Sequence, residues 1–104
     1  MIKVSVFYPH SESDSFDLDY YQTKHMPMVA ELTAPACRGW TVDSGLGGAA
    51  PGQPPAFSCI GSLLFDSVEA FGAAFGPHAD QIMGDIPNYT KVSPIVQISQ
   101  VVVG

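Results

Sequence analysis

Positive charge is scarce in this chain. Lys3, Lys24, Arg38 and Lys91 stand against ten Asp and Glu, and the net charge is −6. Nucleic-acid binding needs a basic stripe to displace counterions, and four scattered cations do not make one. Nucleic acid is therefore not an expected partner. No apolar run approaches the roughly 20 residues that cross a bilayer, so no membrane span is expected. The first residues run straight into strand sequence without a signal-peptide pattern, which makes the cytoplasm the expected location.

Metal and redox spacings are missing as well. There is no His-x-x-x-His and no Cys-x-x-Cys, and His10, His25 and His78 fall in separate elements. A metal site needs three or four converging ligands, so none is expected. No cofactor is expected either; haem held by one histidine is allowed by the chemistry but demanded by no residue. A hairpin folded about residue 51 sets Cys59 opposite residue 43 and Cys37 opposite residue 65, too far apart to bridge. Both are read as reduced packing thiols. Gly45-Leu46-Gly47-Gly48 lacks the lysine and the strand-to-helix setting of a phosphate loop, and reads as a plain connection.

What is present points to one small folded domain spanning 1–104. Hydrophobic residues make up 46% and charged residues 13%, a balance that argues against disorder. Residues 2–8 alternate, with Ile2, Val4, Val6 and Tyr8 on one face, as a strand requires. Residues 10–15 form a polar loop. Asp17 is a good helix N-cap, and Phe16 before it can pack onto Tyr21. The stripe Leu18, Tyr21, His25, Met28, Val29, Leu32 has helical spacing and predicts a helix to about residue 32. Strands follow at 38–44 and 57–65, separated by a Gly, Ala and Pro loop. Asp66-Ser67-Val68-Glu69 reads as a capping box opening a second helix with Val68, Phe71 and Phe75 inward. Pro77 opens a short helix through Met83, with Gly84 at its end. The last strand is placed at 95–103.

The order β-α-β-β-α-β predicts an α+β, ferredoxin-like fold: a four-stranded antiparallel sheet with helices on one face. On the other face Ser5, Ser58, Ser62, Gln97 and Ser99 interleave with Phe7, Ile60, Leu64, Ile95 and Val101. A solvated face carries more Lys and Glu. A second copy packed sheet to sheet, giving a two-fold homodimer, is the expected explanation.

One segment breaks the local rules. Between Tyr20 and Met28, two tyrosines, a histidine and a proline share a helix, with the titratable His25 where a core residue belongs. Such conflicts concentrate at functional positions. Pro27 has no N–H to offer the carbonyl of Thr23, which predicts a loosened turn beside His25. Imidazole can pass a proton near neutral pH. Tyr20 and Tyr21 can donate to a carbonyl or enolate oxygen, and their 100° separation predicts that one of them shares the pocket with His25. Trp40 and Phe7 are candidate apolar lining, His78 a candidate polar group at the mouth, and Tyr89 a candidate to close over the site. For each of these, plain packing or surface exposure is the competing reading. His10 is read as surface.

The segments 1–6, 16–21, 25–29 and 64–71, then 75–79 and 85–89, together resemble the EthD family, named for a protein linked to bacterial ethyl tert-butyl ether breakdown. The resemblance covers nearly the whole length. It implies a dimeric α+β barrel, related to small cofactor-free enzymes such as lactone isomerases, polyketide monooxygenases and cyclases, and to haem-degrading enzymes. It also raises the standing of His25 as a working group.

Two functions stand side by side at this point. One is a cofactor-free enzyme of isomerase- or monooxygenase-like proton-transfer chemistry on a small organic metabolite. In it His25 is the general acid/base and Tyr21 polarises an oxygen, with Tyr20, Trp40, His78, Tyr89 and Phe7 about the substrate. The other is a ligand-binding or accessory protein of a catabolic or biosynthetic pathway. A purely structural dimer, with side chains filling the pocket, is the third possibility.

Overall fold

A computed structural model describes residues 1–13 and 15–104; Asp14, in the expected loop 10–15, lies outside them. The strands are β1 (Ile2–Pro9), β2 (Gly39–Ser44), β3 (Phe57–Phe65) and β4 (Ile95–Gln100). They form one antiparallel sheet in the order β2-β3-β1-β4. The helices are α1 (Leu18–Tyr20), continued by a π turn (Tyr21–His25) into α2 (Met26–Leu32), then α3 (Val68–Phe75) and α4 (Ala79–Gly84). The fold is the expected α+β, ferredoxin-like one.

Alternation along the strands decides what meets the helices. Val4 pairs with Leu63 and Ile98, and Val6 with Gly61 and Val96, on the covered face. Ser5 pairs with Ser62 and Gln97, and Phe7 with Ile60 and Ile95, on the bare face. The core collects on the covered face, where Val4, Tyr8, Tyr21, Val29, Cys59, Leu63 and Phe65 are buried.

Several expectations need correction. Cys59 faces Ser44 rather than residue 43, a one-residue change of register. Because side chains alternate, that step decides which side of the sheet β2 presents, and it sets Trp40 and Val42 level with Leu63 and Gly61. Both cysteines are free thiols, and burial pushes Cys59 up to about 12. Ser67, not Asp66, caps α3, accepting from the Ala70 N–H at 3.0 Å. Asp66 instead takes a two-point hydrogen bond from Arg38. Val68 is exposed, because a helix capped at Ser67 turns it outward and leaves Phe71 and Phe75 to pack inward. β4 stops at Gln100, since Val101 donates to the Met1 carbonyl at the end of β1 and no β1 residue remains to pair beyond it.

The first helix begins as expected. Asp17 accepts from the Tyr20 N–H, and the rings of Phe16 and Tyr21 meet edge to face at 5.2 Å. Its interior does not follow the expected phase. Met26 donates to the carbonyl five residues back, on Tyr21, so the turn is widened by one residue. Beyond it Val29 is buried as expected, Met26 and Thr33 are buried as well, and the expected Met28 and Leu32 are only half-buried against the core. Pro27 is accommodated because the chain widens before it; the turn does not fray.

Candidate functional site

The π turn stacks Tyr21 on His25, with ring centroids 5.3 Å apart and planes 16° from parallel. Residues four apart share a helix face, and π turns recur at functional sites. His25 is 4% exposed and Tyr21 1%. Tyr21 reaches across to β3, where its hydroxyl occupies the space a side chain at Gly61 would fill. That contact fixes the height of the helix over the sheet.

His25 Nδ1 lies 2.8 Å from Asp85 Oδ2. Asp85 comes from the segment just after α4 and is held by two further donors. Tyr20 Oη donates to it at 2.6 Å and Asn88 Nδ2 at 2.8 Å. On the other side of the imidazole, Nε2 faces the Tyr89 hydroxyl at 3.4 Å, and Tyr89 is 2.6 Å from the Tyr8 hydroxyl. The result is a continuous polar chain, Asp85–His25–Tyr89–Tyr8. Among the described residues every buried side-chain polar atom has a partner.

Burial disfavours the imidazolium and holds His25 below its ordinary value of 6.5, although the Asp85 carboxylate pulls the other way. For Asp85 partial burial pushes upward, but the hydrogen bonds from Tyr20, Asn88 and His25 outweigh it and leave the carboxyl below 3.8. At neutral pH the pair is therefore neutral imidazole beside carboxylate. Nδ1 carries the proton that Asp85 accepts, and Nε2 carries a lone pair that faces the Tyr89 hydroxyl. Burial raises Tyr8, Tyr21 and Tyr89 above the ordinary phenol range, so all three remain protonated donors.

This cluster closes one end of a cavity of about 280 Å³ between the covered sheet face and the helices. Tyr8, Tyr21 and His25 are its polar wall, and Val6, Phe71, Met83 and Val96 are part of its apolar one. No group of three His, Cys, Asp or Glu able to hold a metal occurs among the described residues. No helix of the described residues is long and apolar enough to cross a membrane.

The candidates are divided by this geometry. Of the two tyrosines only Tyr21 shares the cavity wall with His25; Tyr20 meets the histidine's network from the far side of Asp85. Tyr89 is buried behind the wall, between Tyr8 and His25, and does not close over the opening. Phe7 lies on the bare face against Phe57, because it alternates with Val6 and Tyr8. Trp40 stands on β2, at the sheet edge away from β4, and is 39% exposed. His78 lines a separate shallow depression between α3 and the turn after α2. His10 is exposed and pairs with Glu12. Asp85, Asn88 and Tyr8 also belong to the site, without a local sequence signal that marks them. Tyr8 read as core, and Asp85 is 60 residues from His25 with no spacing to link them.

Residues 9–93 match the family model of the EthD domain. The chain belongs to the EthD family. It is similar to an EthD-like protein of Ralstonia eutropha JMP134 of known crystal structure, with 49% identity and a TM-score of 0.95, over 98% of this chain and 92% of that one. An EthD family protein from Bacillus halodurans C-125 shares the fold at 17% identity and a TM-score of 0.65, over 96% of this chain and 97% of that one. An uncharacterized 11.0 kDa protein in the thcB–thcC intergenic region of Rhodococcus erythropolis is 28% identical over 88% of this chain and 85% of its own length.

Proposed function

We propose that this EthD protein is a small-molecule enzyme that moves protons without a cofactor. The observation that carries this reading is the Asp85–His25–Tyr89–Tyr8 chain at the wall of an apolar cavity. Asp85 fixes the imidazole tautomer, as a positioning residue. His25 Nε2 is the general base, reached from the cavity through the Tyr8 and Tyr89 hydroxyls. A proton leaves a carbon next to a carbonyl, the electron pair moves onto the oxygen, and Tyr21 donates to it. In an unsaturated carbonyl compound the electron pair spreads over a dienolate, and returning the proton to its far carbon shifts the double bond and completes an isomerisation. When His25 takes up a proton, Nε2–H can donate to Tyr89 and each hydroxyl in the chain turns round, so the relay works in both directions.

The test is hydrogen–deuterium exchange at the carbon next to the carbonyl of small ketones and lactones, followed by NMR in D₂O. His25→Ala is expected to lower the exchange rate by about 10²–10⁴, the usual worth of a positioned acid or base. Asp85→Asn should give a smaller loss and a displaced pH profile. The second reading, a binding protein without turnover, is favoured by one observation: the polar chain is already satisfied within itself. It prevails if no exchange occurs with any compound while ligand affinity falls with His25→Ala.

The bare sheet face supports a two-fold dimer. Phe7, Ile60 and Leu64 lie beside the small, buried Ser5 and Ser62, and Ile95 is 55% exposed at its edge. Such a face is completed by a second copy. Sedimentation at a single-chain mass of 11.0 kDa, rather than twice that, would rule the dimer out.

A further inference from the structure

We infer that the ligand of the cavity is an uncharged, mainly hydrocarbon molecule of about ten non-hydrogen atoms with a single hydrogen-bonding oxygen. The inference rests on the cavity proposed above as the substrate site and narrows its substrate class to exclude carboxylates and other ions. Of the 15 residues around the cavity, only Tyr8, Tyr21 and His25 carry polar side-chain atoms, and none is Lys or Arg. A carboxylate placed there leaves water with no cation to meet it, which is strongly unfavourable. The nearest fixed charge in the network is the wrong one: the Asp85 carboxylate sits directly behind the imidazole, 2.8 Å from Nδ1. Arg38 and Lys24 are engaged outside the cavity lining. Arg38 is bound to Asp66, and Lys24 lies over the Tyr20 ring, 5.4 Å from its centroid. A cationic ligand fares no better, because Asp85 is already saturated by Tyr20, Asn88 and His25 and does not line the cavity.

Size and shape follow from the same wall. A volume of about 280 Å³ corresponds to roughly nine waters at about 30 Å³ each, hence to a ligand of about ten heavy atoms. The polar groups gather at one end, where Tyr8, Tyr21 and His25 meet, so one oxygen is served and a second polar group finds only Phe, Met, Val, Leu, Ile and Pro. Met26 and Met83 in the wall can adapt to ligands of differing outline.

Three probes of nearly equal size separate the possibilities: acetophenone, benzoate and ethylbenzene, titrated into the wild-type protein by calorimetry and NMR at neutral pH. Acetophenone is expected to bind about tenfold or more tightly than benzoate, whose charge must be desolvated. Ethylbenzene, lacking the oxygen, is expected between them. Val96→Trp, a substitution at a half-exposed position on the cavity rim, is expected to weaken acetophenone at least as much. Benzoate binding as tightly as acetophenone, no binding of acetophenone at its solubility limit, or binding indifferent to Val96→Trp overturns the inference. None of these readouts needs turnover. Binding of acetophenone without deuterium exchange at its methyl group leaves this inference standing and removes the enzymatic reading; exchange at that methyl group together with tighter binding of benzoate does the reverse.

Discussion

The two helical layers over the sheet are held in different ways. The layer of α1, the π turn and α2 buries Tyr21, His25, Met26 and Val29, and ties itself down with ring stacking and hydrogen bonds. The layer of α3 and α4 buries only Ile82, and meets the sheet through half-buried Phe71 and Phe75. The cavity lies along their boundary. A site that must hold a proton relay in register and also admit a ligand needs one wall of each kind. Packed aromatic rings have a single arrangement, whereas loosely held Phe and Met side chains can shift without loss of buried hydrogen bonds.

Truncating one aromatic in each layer measures the contrast. Tyr21→Ala removes a fully buried ring and is expected to cost about 4 kcal/mol. Phe71→Ala removes a half-buried one and should cost only about 1–2 kcal/mol, since less surface leaves water on folding and the site can collapse. Denaturant unfolding of both variants checks this, and equal losses would erase the distinction between the walls.

The contact between Tyr21 and Gly61 sharpens it further. A methyl group at position 61 overlaps the Tyr21 hydroxyl, so Gly61→Ala is expected to cost about 2 kcal/mol by overpacking. In a Tyr21→Phe background, where the hydroxyl is gone, the cost should fall by about 1 kcal/mol. A double-mutant cycle isolates that coupling. Additive effects would mean that the helix is not seated on Gly61.

What could be read in advance, and what could not, divides along the same line. Elements were legible because alternation in β1 and β3, the Asp17 cap and the Asp66-Ser67 pair before α3 are local signals, even though the cap fell on Ser67. His25 and Tyr21 were legible because a histidine in an apolar stripe is a local anomaly. The π turn was only half visible. Pro27 announces a disturbed helix, but whether the chain frays or widens depends on Tyr21 finding room over Gly61, a contact 40 residues away in sequence. Asp85 was invisible for a similar reason. A carboxylate after Gly84 is an ordinary loop residue until the fold sets it against His25 and Tyr20. The register of β2 depended on the length and shape of the 45–56 loop, whose composition fixes neither. Phe7 was assigned to a pocket on the face opposite its own, which the strand's alternation alone excludes.

The smallest effect is a dependence on pH that belongs to the fixed wall alone. Folded His25 resists protonation, so between its lowered value and 6.5 the unfolded chain binds more protons than the folded one. Stability therefore falls as the pH drops through 6.5, and this loss is complete below the folded value. Asp85 acts in the same direction at lower pH. Its folded value lies below 3.8, so its contribution is present above 3.8 and is lost as the pH falls through the folded value. Two successive acid-side losses are expected, the first from the imidazole and the second from the carboxylate. Asp85→Asn should abolish the second. It should also move the His25 midpoint further down, because the carboxylate is the group that favours a proton on the ring. Titration of the His25 ring protons by NMR reads both. A midpoint at or above 6.5 in the parent chain, or one that rises in Asp85→Asn, would mean that the ion pair and not burial governs the ring. Only a midpoint well above neutrality would also leave Nε2 protonated at neutral pH and remove the general-base assignment.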